Sequence, residues 1–185
     1  MRSLLFITLI FTILSCEETV LPKPKAALRL EYPQAEYKNY AKDYCPFEFE
    51  TNTSAFVRTK KDDSCDFDIE YPAMKATIYI SYKKVKDNIR HLLRDAQKFT
   101  FEHTIKADNI ASNQFVNDST RVYGMFYQVY GNAASQAQFY ATDSTTHFIS
   151  GSVYFKVVPN YDSIQPASHY LEKDVRRIME TLRWK

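Results

Sequence analysis

Two stretches of this chain repeat apolar residues at helical spacing, and nearly every other patterned stretch alternates. That contrast constrains the fold more than any other feature. Ala27-Leu28-Arg29-Leu30-Glu31-Tyr32 alternates until Pro33 stops it. Pro46-Phe47-Glu48-Phe49-Glu50 alternates with both Phe on one face, and Cys65 to Tyr71 places Cys65, Phe67, Ile69 and Tyr71 inward. Ser54 to Lys60 is the strand between them, Lys61-Asp62-Asp63-Ser64 the turn, and Thr77 to Tyr82 a further strand. The second half adds Asn109 to Val116, Thr120 to Tyr130, Ala137 to Thr142 and Thr146 to Val158. In the last of these Ile149, Gly151, Val153, Phe155 and Val157 share a face. The 14 Tyr and 13 Phe suit pleated strands. With only 3 Gly, no P-loop or Rossmann turn is present.

The first helical stretch runs from Asp87 to about Ile105, with Ile89, Leu92, Leu93, Ala96 and Phe99 on one stripe and Arg90, Arg94 and Lys98 on the solvated face. Pro166 suits the first turn of the second, whose stripe of Leu171, Val175, Ile178, Met179 and Leu182 runs to Trp184. Strands, a helix, more strands and a helix predict an α+β domain, a mostly antiparallel sheet with two main amphipathic helices packed on it. The ending, a long strand pair followed by an amphipathic helix, resembles the Mog1/PsbP-like fold.

Residues 1–15 read as a secretory signal: Met1-Arg2-Ser3, an apolar run from Leu4 to Leu14, then Ser15 before Cys16. The run is shorter than the roughly 20 residues a transmembrane helix needs. Ile13-Leu14-Ser15-Cys16 resembles the lipobox of bacterial lipoproteins, the alternative being an ordinary secreted protein. The resemblance implies cleavage before Cys16, a diacylglyceryl thioether on its sulfur and an acylated amine. Each buried CH₂ of those chains contributes about 0.8 kcal/mol. Residues 16–27 are then the lipidated Cys and a tether, in which Leu21-Pro22-Lys23-Pro24-Lys25 favours an extended spacer of some 30 Å at about 3.1 Å per residue. Residues 28–185 form one domain. Glu17, where an Asp resembles an inner-membrane retention signal, favours the outer membrane by analogy. Glu17-Glu18 resembles the acidic pairs that send some Bacteroidota lipoproteins to the cell surface. The formal charge of +2 leaves no electrostatic footprint for nucleic acid.

With Cys16 lipidated, Cys45 and Cys65 remain. An oxidising envelope favours a bridge between them; two buried free thiols are the alternative. No CxxC spacing supports a metal, and no cofactor motif is present. No GxSxG, HExxH or SxxK occurs, and Cys45, followed by Pro46, is a poor nucleophile. His91 and His103 lie too far apart on one helix to share a metal unaided, while His147 opens a strand and His169 the last helix. Asp95 and Glu102 lie two turns apart on a solvated face, so no catalytic residue is assigned. The densest uncharged polar set is Asn132, Ser135, Gln136, Gln138, Tyr140, Thr142 and Asp143, beside aromatics, and it is the candidate partner surface; a solvated strand face is the alternative. Asp118-Ser119-Thr120, Asp143-Ser144-Thr145 and Asp162-Ser163-Ile164 are similar to the Asp-Ser/Thr-apolar acceptors of Bacteroidota O-glycosylation. They make Ser119, Ser144 and Ser163 candidate acceptors, although Asp-Ser is also turn chemistry.

Leu21 to Lys25, Leu28 to Pro33, Cys45-Pro46-Phe47, Leu92 to Lys98, Gly131 to Gln136 with Phe139-Tyr140, and Asp174 to Lys185 together resemble the GldD family of gliding motility lipoproteins of Bacteroidota. The resemblance implies a non-enzymatic accessory of gliding motility and the linked type IX secretion machinery. It also implies other gliding lipoproteins, GldJ and GldK, as partners. A ligand-binding module with a pocket near the Gly131–Gln136 loop is the second reading, and an envelope hydrolase the last.

Overall fold

A computed structural model of the chain describes residues 30–102, 106–158 and 160–185. The lipobox, Cys16, the tether and His103 lie outside the described residues. Phe47 and Phe49 point into the interior (2% and 1% exposed) from β2 (Phe47–Asn52), which pairs antiparallel with β1 (Tyr37–Ala41) on one side and β10 (Arg183–Trp184) on the other. A second, seven-stranded sheet runs β3 (Phe56–Thr59), β4 (Phe67–Tyr71), β5 (Ala76–Lys84), β9 (His147–Phe155), β8 (Ser135–Thr142), β7 (Val122–Tyr130), β6 (Asn109–Asn117). Its neighbouring strands all pair antiparallel. With α1 (Ile89–Glu102) and α2 (Tyr161–Thr181), this is the expected α+β build.

The main core lies where one face of the large sheet meets α2 and the small sheet. Phe67, Ile69 and Tyr71 of β4, Ile78 and Ile80 of β5, and Ile149 and Val153 of β9 converge there on Leu171, Val175, Ile178 and Met179 of α2. Gly151 sits within that face because a Cβ there would lie 2.3 Å from a ring carbon of Phe139. The opposite face of the large sheet carries a smaller cluster, Tyr127, Tyr140, Phe148 and Val85, capped by Leu92 of α1.

Four expectations need correction. The described part of the Ala27–Tyr32 strand, Leu30 to Tyr32, is not in a strand; Leu30 is exposed, and Tyr32 instead lays its ring 5.4 Å from that of Tyr170 on α2. The first strand lies beyond Pro33, where every residue of β1 finds a partner on β2. Pro166 is inside α2 rather than in its first turn. The helix begins at Tyr161, whose N–H is held by Asn132 Oδ1 (2.8 Å), a cap delivered from the β7–β8 loop. It ends at Thr181, so Arg183 and Trp184 form β10, where Trp184 meets Phe47 edge-on. Val157, expected on the inner face of β9, lies beyond the strand and is exposed.

Cys45 and Cys65 form a disulfide with 5.6 Å between Cα atoms, tying the start of β2 to the approach to β4 and so joining the two sheets. A second tie is polar. Asp174, buried on the inner side of α2, accepts hydrogen bonds from Tyr37 Oη (2.7 Å), Asn52 Nδ2 (3.1 Å) and the Tyr71 hydroxyl. Burial raises its pKa, and the three donors oppose that rise.

Replacing Cys45 and Cys65 together by Ala is expected to remove about 3 kcal/mol of stability in the chain-entropy model, measured by urea denaturation. Asp174→Ala removes the shared acceptor of Tyr37, Asn52 and Tyr71, leaving Asn52 Nδ2 its bond to Tyr170 Oη, and is expected to cost about 2–4 kcal/mol, with the largest loss of protection at β1 amides in hydrogen exchange.

Candidate functional site

Ser135, Gln136, Gln138, Tyr140, Thr142 and Asp143 are between 0% and 8% exposed, so they are not a partner surface. The reason is the position of β8, which lies between β9 and β7 with α2 beneath one face and α1 above the other. Covered on both faces, the strand has no solvated side. Gln136 donates to the Ala133 carbonyl (2.7 Å), Ser135 to that of Ala137 (3.3 Å) and Thr142 to that of His147 (2.5 Å). Of the expected set only Asn132 is exposed, and it caps α2.

Asp143 organises the β8–β9 turn. Its Oδ1 accepts the N–H groups of Thr145 (3.0 Å), Thr146 (2.7 Å) and His147 (2.7 Å), and its Oδ2 accepts the Thr145 hydroxyl (3.1 Å). Burial works against ionisation, but the hydrogen bonds from His147, Thr146 and Thr145 outweigh it and hold the carboxyl below its ordinary value. Beside it, burial lowers the pKa of His147, Asp143 opposing and Lys84 reinforcing. The His147 ring stacks on Trp184 and meets Tyr82 Oη at 2.9 Å.

Gln138 and Tyr140 contribute instead to a cleft of about 200 Å³ between α1 and the large sheet. Strand register builds its floor: Gln138 lies opposite Ser152 on β9 and Tyr127 on β7, and Tyr140 lies opposite Ser150. Leu92, Ala96, Phe99 and Thr100 of α1 form the wall, with Lys83 and Asp95 at the mouth. The Thr100 hydroxyl lies 2.8 Å from Gln138 Oε1 and 3.1 Å from the Ala96 carbonyl, so its one hydrogen serves one of them at a time. Gln138 Nε2 is buried and has no hydrogen-bond partner. Burial, reinforced by Tyr140, pushes the Tyr127 pKa up to about 12, so its phenol stays neutral at the cleft edge. The cleft can therefore hold a small body with apolar faces and a polar group reaching Gln138. No residue from Gly131 to Gln136 lines it. The signal in the sequence was the polar row Ser150 and Ser152 opposite the apolar face of β9, together with Thr100 one turn beyond Ala96 on the helix stripe.

The remaining candidates disperse. Among the described residues no three His, Cys, Asp or Glu side chains are grouped to hold a metal. His91 pairs with Asp95 (2.9 Å) and Lys98 with Glu102 (3.7 Å) along α1, while His169 is exposed in the middle of α2 rather than at its start. Ser119 is exposed in the turn after β6, with its hydroxyl donating to Asn117 Oδ1. Ser144 is exposed in the β8–β9 turn at φ 70°. Ser163 is exposed too, but within the first turn of α2 rather than in a loop. Among the described residues no helix is long and apolar enough to cross a membrane.

Fold and cleft together describe an α+β domain with a cleft between α1 and the large sheet, its polar residues committed mainly to structure. The chain belongs to the family described as gliding motility lipoprotein GldD, whose sequence profile matches residues 17–184. Membership makes it a lipoprotein of gliding motility and associates it with the cell envelope. No curated protein sequence matches the chain. Among solved structures it is similar to cyanobacterial PsbP (CyanoP) from Synechocystis sp. PCC 6803, at 8% identity and a TM-score of 0.49 over 83% of this chain and 95% of that one. A likeness at that level carries no inference about function.

Gln138→Leu removes a buried amide whose nitrogen has no partner, and the Thr100 hydroxyl keeps the Ala96 carbonyl. The melting temperature is expected to rise by about 2–4 °C per kcal/mol gained, where a buried amide with good partners would give a fall. Asp143→Ala is expected to cost about 1–3 kcal/mol at pH 7. Because the folded pKa is depressed, that contribution is present above the unfolded carboxylate value near pH 4. It is lost as pH falls through the folded value, so urea titrations of variant and wild type should converge in acid.

Proposed function

We propose that this protein is a lipid-anchored accessory of the gliding motility and type IX secretion machinery. Acyl chains on Cys16, palmitate among them, hold it in the outer membrane, and residues 17–27 tether the domain. There it assembles or stabilises other envelope lipoproteins, GldJ and GldK being the partners in view, without catalysis. The observation that carries this reading is the family match over residues 17–184. The lipobox-like start supports it, as does the commitment of the buried carboxylates Asp143 and Asp174 to turns and packing rather than to a shared reaction centre.

A second reading, a ligand-binding module, is favoured by one observation: the unpartnered Gln138 Nε2 in the α1 cleft. It moves the pocket away from the Gly131–Gln136 loop. Exposure in turns also supports Ser119 and Ser144 as O-glycan acceptors ahead of Ser163, which intact-mass measurement of native protein with each Ser→Ala variant would test.

Deleting the gene is expected to abolish colony spreading and type IX secretion and to lower GldJ and GldK levels on immunoblots. Complementation by the wild-type gene should restore all three, and by a Cys16→Ser variant none. Normal spreading and secretion in the deletion strain would overturn the assignment. A thermal-shift screen of neutral sugars and short peptides against wild type and Gln138→Leu tests the cleft; stabilisation of wild type alone is the expected signature.

A further inference from the structure

We propose that β6 is a self-pairing edge, through which two copies of this chain join by antiparallel pairing of Asn109–Asn117 about a two-fold axis at Asn113. This goes beyond the motility assignment and does not depend on it.

An edge strand presents a row of unpaired backbone N–H and C=O groups, and proteins guard such rows with charge, proline or shortness. The other edges here are guarded. β3 has four residues, with Arg58 ion-paired to Glu70 and Lys60 following; β1 carries Lys38; β10 has two residues, one of them Arg183. β6 differs in every respect. It has nine residues, Asn-Ile-Ala-Ser-Asn-Gln-Phe-Val-Asn, with no charge and no proline. Its only strand neighbour is β7, and among the described residues no other segment makes a backbone hydrogen bond to it. At about 3.4 Å per residue it offers some 30 Å of open edge.

The order of residues says what fits that edge. About Asn113 the chemistry is palindromic: Asn109 would oppose Asn117, Ile110 Val116, Ala111 Phe115, and Ser112 Gln114, each from the other copy. A two-fold axis normal to the sheet keeps each side chain on its own face. Ile110 and Val116 therefore meet on the α1 side, small Ala111 faces large Phe115 on the α2 side, and polar residues face polar ones. Val116, 55% exposed in the single chain, gains an apolar partner. An isologous contact of this kind closes at two copies and leaves no further edge of the type. The same axis brings Asp108 opposite Asp118, whose repulsion confines pairing to the nine residues between and makes the contact tighten as salt screens it.

The test uses the full lipidated chain in its own membranes. Asn113→Cys places one thiol on the axis opposite its own copy. Asn117→Cys places it about 27 Å from its equivalent. Copper phenanthroline oxidation followed by a non-reducing gel should give a dimer band for Asn113→Cys and none for Asn117→Cys or wild type. Adding Ser112→Lys with Gln114→Lys, both at exposed positions, sets like charges opposite each other and should cut the Asn113→Cys dimer severalfold. Ser112→Lys with Gln114→Glu sets opposite charges there and should restore it. Melting curves on each variant separate loss of pairing from loss of fold. Absence of the Asn113→Cys dimer in a folded variant, an equal band from Asn117→Cys, or a band joining Asn113→Cys to a different protein would each overturn the proposal.

Discussion

A buried carboxylate on α2 sets the geometry of this domain. Asp174 faces the junction where β1, β2 and β4 meet the helix, and it takes one hydrogen bond from each strand through Tyr37, Asn52 and Tyr71. Burial opposes ionising it there and the three donors favour the charged form; burial prevails, so the contribution of this carboxyl to stability falls as pH rises through its raised folded value. A buried polar network of this kind can select one arrangement of the elements around it. Here the arrangement selected is the placement of the small sheet against the large one. The disulfide between Cys45 and Cys65 fixes the same junction covalently from the other end of β2. What the helix covers, and so what the opposite face leaves for α1 and the cleft, follows from that placement.

Much of this fold was legible wherever a segment has one wet face and one dry one. Phe47 and Phe49, or Phe67, Ile69 and Tyr71, alternate because only one side of their strand meets the core, and the stripe of α2 repeats for the same reason. Legibility failed where a segment has two dry faces. β8 is polar in sequence and buried throughout, since Gln136, Ser135 and Thr142 find backbone acceptors locally and Gln138 faces a cleft. A run of such residues reads as a surface until the sheet order is known. The start of α2 was hidden because its cap comes from Asn132, 29 residues upstream. Trp184 was read as helix because the pairing of β10 with β2 is a contact that no local pattern announces.

The candidate site was legible only in part for a related reason. Gln138 and Tyr140 stood out as polar or aromatic, but their partners Ser150, Ser152, Tyr127 and Thr100 come from three other elements. Only the antiparallel register of β7, β8 and β9 assembles them into a floor. The α1 wall is held chiefly by Leu92, with Phe99 and Phe101 left substantially exposed. It is the less firmly seated of the two helices. The domain thus has one face of the large sheet tied down by Asp174 and the disulfide and the other covered by a smaller cluster beside the cleft.

The pairing of β2 with β10 has a consequence for how the protein is made. Glu48 and Phe47 find their partners at Arg183 and Trp184, and Asn52 waits for Asp174. Contacts separated by more than a hundred residues form slowly, because a long loop must close first. Until residues 174–184 are in place, the small sheet lacks both an edge strand and the helix it packs on. The topology therefore ties completion of the small sheet, and of the junction that the Cys45–Cys65 disulfide fixes, to the arrival of residues 174–184.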